Sequence, residues 1–574
     1  MLLSSSKNAW YPVTGSPVGA IGVEPDVGAW TFAAGTTQTF SVPAFGVDPN
    51  DPAVRYACAG YVVSNALGEV AADAGSTVDV KMENGPISVT WLWNAAQKRA
   101  LVRKPEHGRL LLDNVQQDGD AEQWTVSQTV AVEVVPDEGY EFVCWEGVLP
   151  LGCAAENPLV ATLESPMDVT PVLREVAEPT VRTWKGTGDW KDASKWTPNG
   201  IPGTGDEIVI ADGTCTVSNF LGAAALRVTG GTLAVGTAGK VNGEIAVAGD
   251  AALSGGTLKL GYGARYSNLN GSLQTDSAKR MPGHARLSVG GNLTMSEKAK
   301  AEVSGGILDA SHTLATGSSF VEVVGTLALE GTSVLELYSD VLSGGSVKVT
   351  ADAFAVAEGA TVDAKAKGYM WLNGEAPDVK GIGVDYSKGA SHGGQGAGNK
   401  SGTTYGFELA PIEPGAPNGS YAGGQRPGGG VIRVHARAMT VNGTLNADAC
   451  ETSGYGGAAG GSIWLTAKEF AFGANAALTV RGGKNTTNYG SYGAGGRISI
   501  CRNADEARLT TLAETGTWPS IRARRIQDEA AFRAAISNET MTIAVGSYLG
   551  TAASLSGTFT SVDGTRPGMM LLVK

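Results

Sequence analysis

Gly429-Gly430-Val431-Ile432-Arg433-Val434, Gly460-Gly461-Ser462-Ile463-Trp464-Leu465 and Gly495-Gly496-Arg497-Ile498-Ser499-Ile500 are three copies of one phrase. Each is a glycine pair followed by strict alternation, so one face of a short strand is apolar and the other variable. The copies recur about 31 and then about 35 residues apart, the spacing of stacked structural repeats. The first two units agree further along: Met439-x-Val441 matches Phe470-x-Phe472, and Leu445-x-Ala447 matches Leu478-x-Val480. The alternation predicts that Ile432, Val434, Ile463, Leu465, Ile498 and Ile500 point inward. Arg433, Trp464 and Ser499 are expected to face out, so that replacing Trp464 costs no more than about 1–2 kcal/mol.

Upstream, from Cys215 to Asp363, short alternating strands recur between glycine corners, among them Leu226-x-Val228, Ile245-x-Val247, Leu258-x-Leu260, Leu287-x-Val289 and Val347-x-Val349. The connections are too short for crossover helices, and hairpin turn signals do not recur. This pattern favours a right-handed parallel β-helix over a sandwich. Roughly ten rungs stacked about 4.8 Å apart would make a rod about 50 Å long. Residues 178–380 read as its N-terminal part and 431–503 as its glycine-rich repeats. Between them, 381–430 is rich in glycine and proline and is expected to be an excursion that buries little. After Asn503, a cap residue, Ala504 to Glu514 and Ile526 to Ile536 have helical composition. Met569 to Val573 reads as a last strand of the segment 504–574. The whole is expected to be all-β, a right-handed parallel β-helix preceded by two small β-modules, with short helices near the C-terminus.

Those two modules are read in 18–105 and 106–177, after a leader or fragment edge at 1–17. The clearer copy runs from Gly108-Arg109-Leu110 through Gly139-Tyr140-Glu141-Phe142-Val143-Cys144-Trp145-Glu146-Gly147 to Pro166-Met167-Asp168-Val169-Thr170. In the looser copy Tyr56 aligns with Tyr140 and Tyr61 with Trp145, which marks a repeated aromatic core position. At the Gly-Tyr-x-Phe-x-x-Trp-x-Gly core and the closing Asp-Val-Thr strand, the segment resembles bacterial β-modules related to the divergent InlB B-repeat, found in tandem on cell-surface proteins. The resemblance implies stalk or spacer duty and brings no catalytic residues. Glu178-Pro179 marks a linker. Trp184, Trp190 and Trp196 follow, in an entry that looks like the start of β-helical passenger regions in autotransporter-like surface proteins. These tryptophans either cap the open end of a solenoid or stack on sugars. Gly443-Thr444-Leu445-Asn446-Ala447 and Gly461-Ser462-Ile463-Trp464-Leu465 resemble the glycine-rich β-helical segment of large secreted proteins from planctomycete and verrucomicrobial-type bacteria, which carries no established chemistry.

Composition narrows function. The 574 residues carry net charge −13 with scattered Lys and Arg, whereas binding phosphate backbones needs a basic stripe. The six cysteines include no CxxC or Cys/His ligand cluster, although Cys144 and Cys153 flank a short loop and can pair if the chain is exported. Asp448, Asp505 and Asp563 are out of register for a calcium-binding roll. No cofactor, metal or nucleic acid is expected. No stretch approaches the ~18 apolar residues of a membrane span. The chain is then either cytoplasmic or a piece of a longer exported chain; the expectation is the latter, extracellular or at the cell surface. No nucleophile motif, P-loop or His-Glu-x-x-His is present. The cluster best suited to a polysaccharide lyase or hydrolase-like enzyme is Asp363, Asp378, Asp385, Lys388, His392, Arg433 and His435, near the excursion. Against it stands a non-catalytic, rod-like structural or adhesive protein. Its candidate binding surface for glycans or cell-surface proteins is the set of tyrosines among glycines, Tyr405, Tyr421, Tyr455, Tyr489 and Tyr492. The alternative for these rings is packing over glycine corners.

Overall fold

The computed structural model describes residues 8–14, 24, 28–48, 51–82, 85–237, 241–261, 283–308, 314, 318–371, 376–377, 379–382, 389–397, 402–418, 426–451, 456–484, 491–504, 509–511, 526–527, 529, 532, 540–545 and 557–563. It is nearly all β and divides into two units, one of residues 1–142 and 147–173, the other of 143–146 and 174–574.

In the first unit, antiparallel pairing dominates. Gly108–Leu112 and Val115–Gln117 form a hairpin whose two loop residues, Asp113 and Asn114, both take positive φ (49° and 65°). That geometry matches the right-handed twist of the strands, and short Asx side chains tolerate it. The strand Gln97–Val102 pairs with Ala121–Thr125 on one side and, in parallel, with Met167–Glu175 on the other, so segments 18–105 and 106–177 share a sheet. A core of Phe40, Val63, Val89 and Trp91 fills one side, with Tyr61 edge-on to Trp91 at 5.8 Å. Tyr140 stacks on His107 at 4.1 Å. Cys144 and Cys153 are not disulfide-bonded.

The second unit is built from three parallel ladders that the chain visits in fixed rotation. One turn is Gly243–Val247, Ala251–Ser254 and Thr257–Leu260; the next is Ala285–Val289, Leu293–Ser296 and Lys300–Ser304. The first ladder stacks Leu221, Ile245, Leu287, Val321, Val349, Val434, Leu465 and Ile500. The second stacks Ile208, Leu226, Ala251, Leu293, Leu327, Phe354, Met439 and Phe470. The third stacks Cys215, Leu233, Leu258, Ala301, Leu335, Val362, Leu445, Leu478 and Ile543. Nearly all of these side chains are buried, because like apolar residues at successive levels leave water no gap to enter.

The corner between the second and third ladders takes a left-handed residue at level after level: Gly213, Gly255, Glu297, Gly331 and Gly359, all with φ between 55° and 86°. Glycine meets that demand without Cβ strain. At the N-terminal end, Trp184, Trp190 and Trp196 are buried, Trp184 and Trp196 edge-on at 5.0 Å. Their indole N–H groups at Trp184 and Trp196 donate to the carbonyls of Gly186 and Trp190 at 2.7 Å each. These rings fill the end of the unit and have no face left for a sugar. Beside them Asp206 accepts from Arg174 Nη1 at 2.9 Å, Arg182 Nε at 2.8 Å and the backbone N–H groups of Gly203 and Thr180 at 2.8 Å each.

At the other end Ile526–Gln527, expected to be helical, is a short strand antiparallel to Thr558–Asp563, where β-branched Ile526 sits opposite Val562. Leu509–Thr511 is helical. Met569 to Val573 lies outside the described residues.

Candidate functional site

The outward column of the first ladder carries Lys348, Arg433, Trp464, Ser499 and Thr560. The expectation that Arg433, Trp464 and Ser499 meet solvent is overturned: they are 3%, 1% and 0% exposed. Alternation reports that a face differs from the core face, and that second face is itself covered by residues of the excursion 381–430. Leu409, Ala410 and Ile412 pack with Trp464, Cys501 and Leu509. The Arg433 guanidinium lies 4.7 Å from the Trp464 ring centre and donates to Thr510 Oγ1 at 3.2 Å. So the excursion does not bury little, as its composition suggested; its described residues are mostly interior.

Polar side chains on the sheet hold this cover by its backbone. Ser499 Oγ donates to Leu409 O at 2.8 Å, Ser462 Oγ to Glu413 O at 2.6 Å, and Arg497 Nη2 and Nε to Tyr405 O at 2.7 and 3.0 Å. Burial raises the Cys501 thiol to about 11, with the neighbouring Ser499 and Trp464 side chains opposing, so it stays protonated at neutral pH. Burial also lowers the pKa of Arg497, against the opposing charges of Glu408 and Glu413, and raises that of Glu413, against Arg497.

Glycine is required where backbones touch. A Cβ on Gly429 would strike the carbonyl of Ala447, one on Gly415 that of Ala459, one on Gly496 that of Gly461. Hydrogen bonds run sideways through this layer, Gly415 N to Gly429 O at 2.8 Å, Gly429 N to Ala459 O at 3.0 Å, Gly460 N to Ala494 O and Ala494 N to Ala390 O at 2.9 Å each. The glycines therefore mark close backbone packing, where composition alone suggested looseness.

Of the five candidate tyrosines, Tyr421, Tyr455 and Tyr489 lie outside the described residues. Tyr405 stacks on His392 at 4.6 Å and donates its hydroxyl to Pro414 O at 2.6 Å, which is packing within the cover. Tyr492 is half-buried, and its carbonyl accepts from Ala397 N at 2.9 Å.

Among its described members the candidate catalytic cluster is split: Arg433 and His435 stand two residues apart on one strand face, while the others lie elsewhere. His392 is fully buried, its Nδ1 donating to Gly460 O at 2.7 Å, and Arg433 lies against Trp464. Asp363 belongs to a different face, on the third ladder. Asp378, Asp385 and Lys388 are outside the described residues.

What the sequence did not reveal is a column on that third ladder, where Glu302, Glu336 and Asp363 occupy one outward position at successive levels. Lys300 Nζ bridges Glu302 and Glu336 at 3.2 and 3.1 Å; Lys367 Nζ lies 2.6 Å from Asp363 and 4.0 Å from Glu336; Tyr338 donates to Glu336 at 2.6 Å. Burial alone would raise the Glu336 pKa, but Lys367, Tyr338 and Lys300 outweigh it and hold the carboxyl below its usual range. Neighbouring carboxylates are the raw material of acid–base chemistry on sugars. Here the three carboxylates share two lysines, Lys300 and Lys367, which is the arrangement of an ion ladder that ties levels together. Among the described residues no group of three His, Cys, Asp or Glu side chains is placed to hold a metal, and no helix is long and apolar enough to cross a membrane.

Compared with known proteins, the chain matches no family model, no curated protein and no solved structure.

Proposed function

We propose that the chain from residue 178 onward winds as a right-handed parallel β-helix, and that the protein is an extracellular, rod-like structural or adhesive surface protein without catalysis of its own. The observation that carries this reading is the use made of its polar groups. Where a catalytic β-helix exposes acids and bases on one open face, the outward face at Arg433, Trp464 and Ser499 is roofed by the chain itself, and its side chains are spent on holding the roof. Long parallel ladders are suited to stiffness, since the strands of each level are paired with those of the next. Glycans or cell-surface proteins are the partners such a rod would meet.

The carboxylate column favours a second reading, a polysaccharide-active enzyme. One experiment separates the two. Purified protein is incubated with pectins, alginates, glycosaminoglycans and xylans, with and without calcium, and assayed for new reducing ends and unsaturated products. No turnover is expected; turnover that disappears in Glu336→Gln would establish the enzyme. Protease treatment of intact source cells should release the protein, and complete protection of a folded, protease-sensitive chain would refute the surface location.

A further inference from the structure

Beside the roofed face, the first and second ladders meet at a cleft of about 300 Å³ lined by His435, Arg437, Thr466, Ala467, Lys468 and Ala504. Its walls follow from register. His435 and Thr466 are paired neighbours on adjacent strands, and Lys468 sits where the strand Ser462–Ala467 breaks before Glu469–Phe472, while the preceding level runs unbroken through Val431–Val441. The break turns Lys468 toward solvent, its backbone N–H donating to Arg437 O at 3.0 Å and its carbonyl accepting from Arg502 Nε at 3.3 Å.

Every charged or titratable side chain among the described residues lining this cleft is basic. Arg437 is fixed from outside by Asp352, through 2.9 and 3.0 Å bonds, with Glu469 at 3.9 Å, so it is aimed rather than mobile. Exposed Arg502 lies alongside, and buried Arg433 is two residues before His435 on the same outward face. In a chain of net charge −13 this is a local excess of cations. The volume is at the lower end for ligand sites and fits one ring-sized unit of a longer molecule.

From the cleft we infer that this protein binds an anionic sugar, a carboxylate- or sulfate-bearing unit of a polysaccharide. Lys468 supplies the charge contact, half-buried His435 hydrogen-bonds a hydroxyl, and the Ala504 methyl takes the apolar ring face. This stands apart from the reading above: it requires neither surface location nor absence of catalysis.

The test is calorimetric titration of the full chain at low ionic strength with a galacturonate trimer, a chondroitin sulfate disaccharide and neutral maltotriose. At least one anionic sugar should bind, with affinity falling as salt is raised, and maltotriose should not. Lys468→Ala should weaken binding about two- to fivefold, as loss of an exposed charge contact does. Ala504→Phe should block the cleft, while Lys185→Ala, an exposed charge elsewhere, should leave affinity unchanged. If Ala504→Phe does not fold, the exposed Lys468→Ala decides alone. Absence of binding by both anionic sugars, equal affinity in Lys468→Ala, or equal loss in Lys185→Ala would overturn the proposal.

Discussion

His392 is a neutral imidazole by construction. With its Nδ1–H committed to Gly460 O, Nε2 is buried with no hydrogen-bond partner, and protonating it would place an unsatisfied N–H in the interior. Burial, reinforced by Arg497 and opposed by the Gly460 bond, lowers its pKa to about 3. The unfolded chain therefore takes up this proton near the ordinary histidine value of about 6.5 while the folded chain does not. Its contribution is present above that value and is lost as pH falls toward 3, at up to about 1.4 kcal/mol per pH unit. Thermal melts of wild type and His392→Asn between pH 7 and pH 4, about where the titration runs, should show the steeper acid loss in wild type; parallel curves would refute it. Trp464 makes a second prediction. Trp464→Ala should cost about 3–5 kcal/mol, comparable to the cost of the buried carboxylate in Ile463→Asp, because both faces of this strand are interior. Denaturant unfolding of the two variants checks it, and a loss under about 1 kcal/mol for Trp464→Ala would mean an exposed ring. The inward residues were legible from alternation; the roof over Trp464 was not, because period two separates two faces without saying what lies on the second. The one local hint was the indole itself at a supposedly wet position.

At the scale of elements, the glycine-rich segments carry the clearest test of packing against looseness. Gly429→Ala should destabilise by about 2–3 kcal/mol, since its methyl meets carbonyl and amide atoms that cannot yield. Gly119, which has open space around its Cβ position and no positive φ, should accept alanine within about 0.5 kcal/mol. Midpoints of each unit's own unfolding transition measure both, and equal small effects would return the glycines to the role of flexible linkers. The ion ladder of Glu302, Glu336 and Asp363 could not be read from sequence for a related reason. Their shared column depends on turns of unequal length, and charges far apart in the chain give no local signature.

Over the whole molecule, the all-β character and the sequence of parallel strands were legible because each strand carries its own alternation and most corners a glycine. The tryptophan-rich entry was visible too, but only the burial of Trp184, Trp190 and Trp196 decided between filling an end and meeting a sugar. The rotation through three ladders has a consequence for how such a chain can change over generations. Between Asp363 and Val431 the polypeptide makes its longest detour, yet on the far side Val349 still meets Val434, Val356 still meets Val441, and Val362 still meets Leu445. Elsewhere the same step from the third ladder to the first is made by a handful of residues, as from Val217 to Phe220. The ladder thus reads the order of strands and ignores the length of what separates them. Insertions at corners are silent to the stack, so new surface can be acquired by lengthening one corner while every other level stays in register.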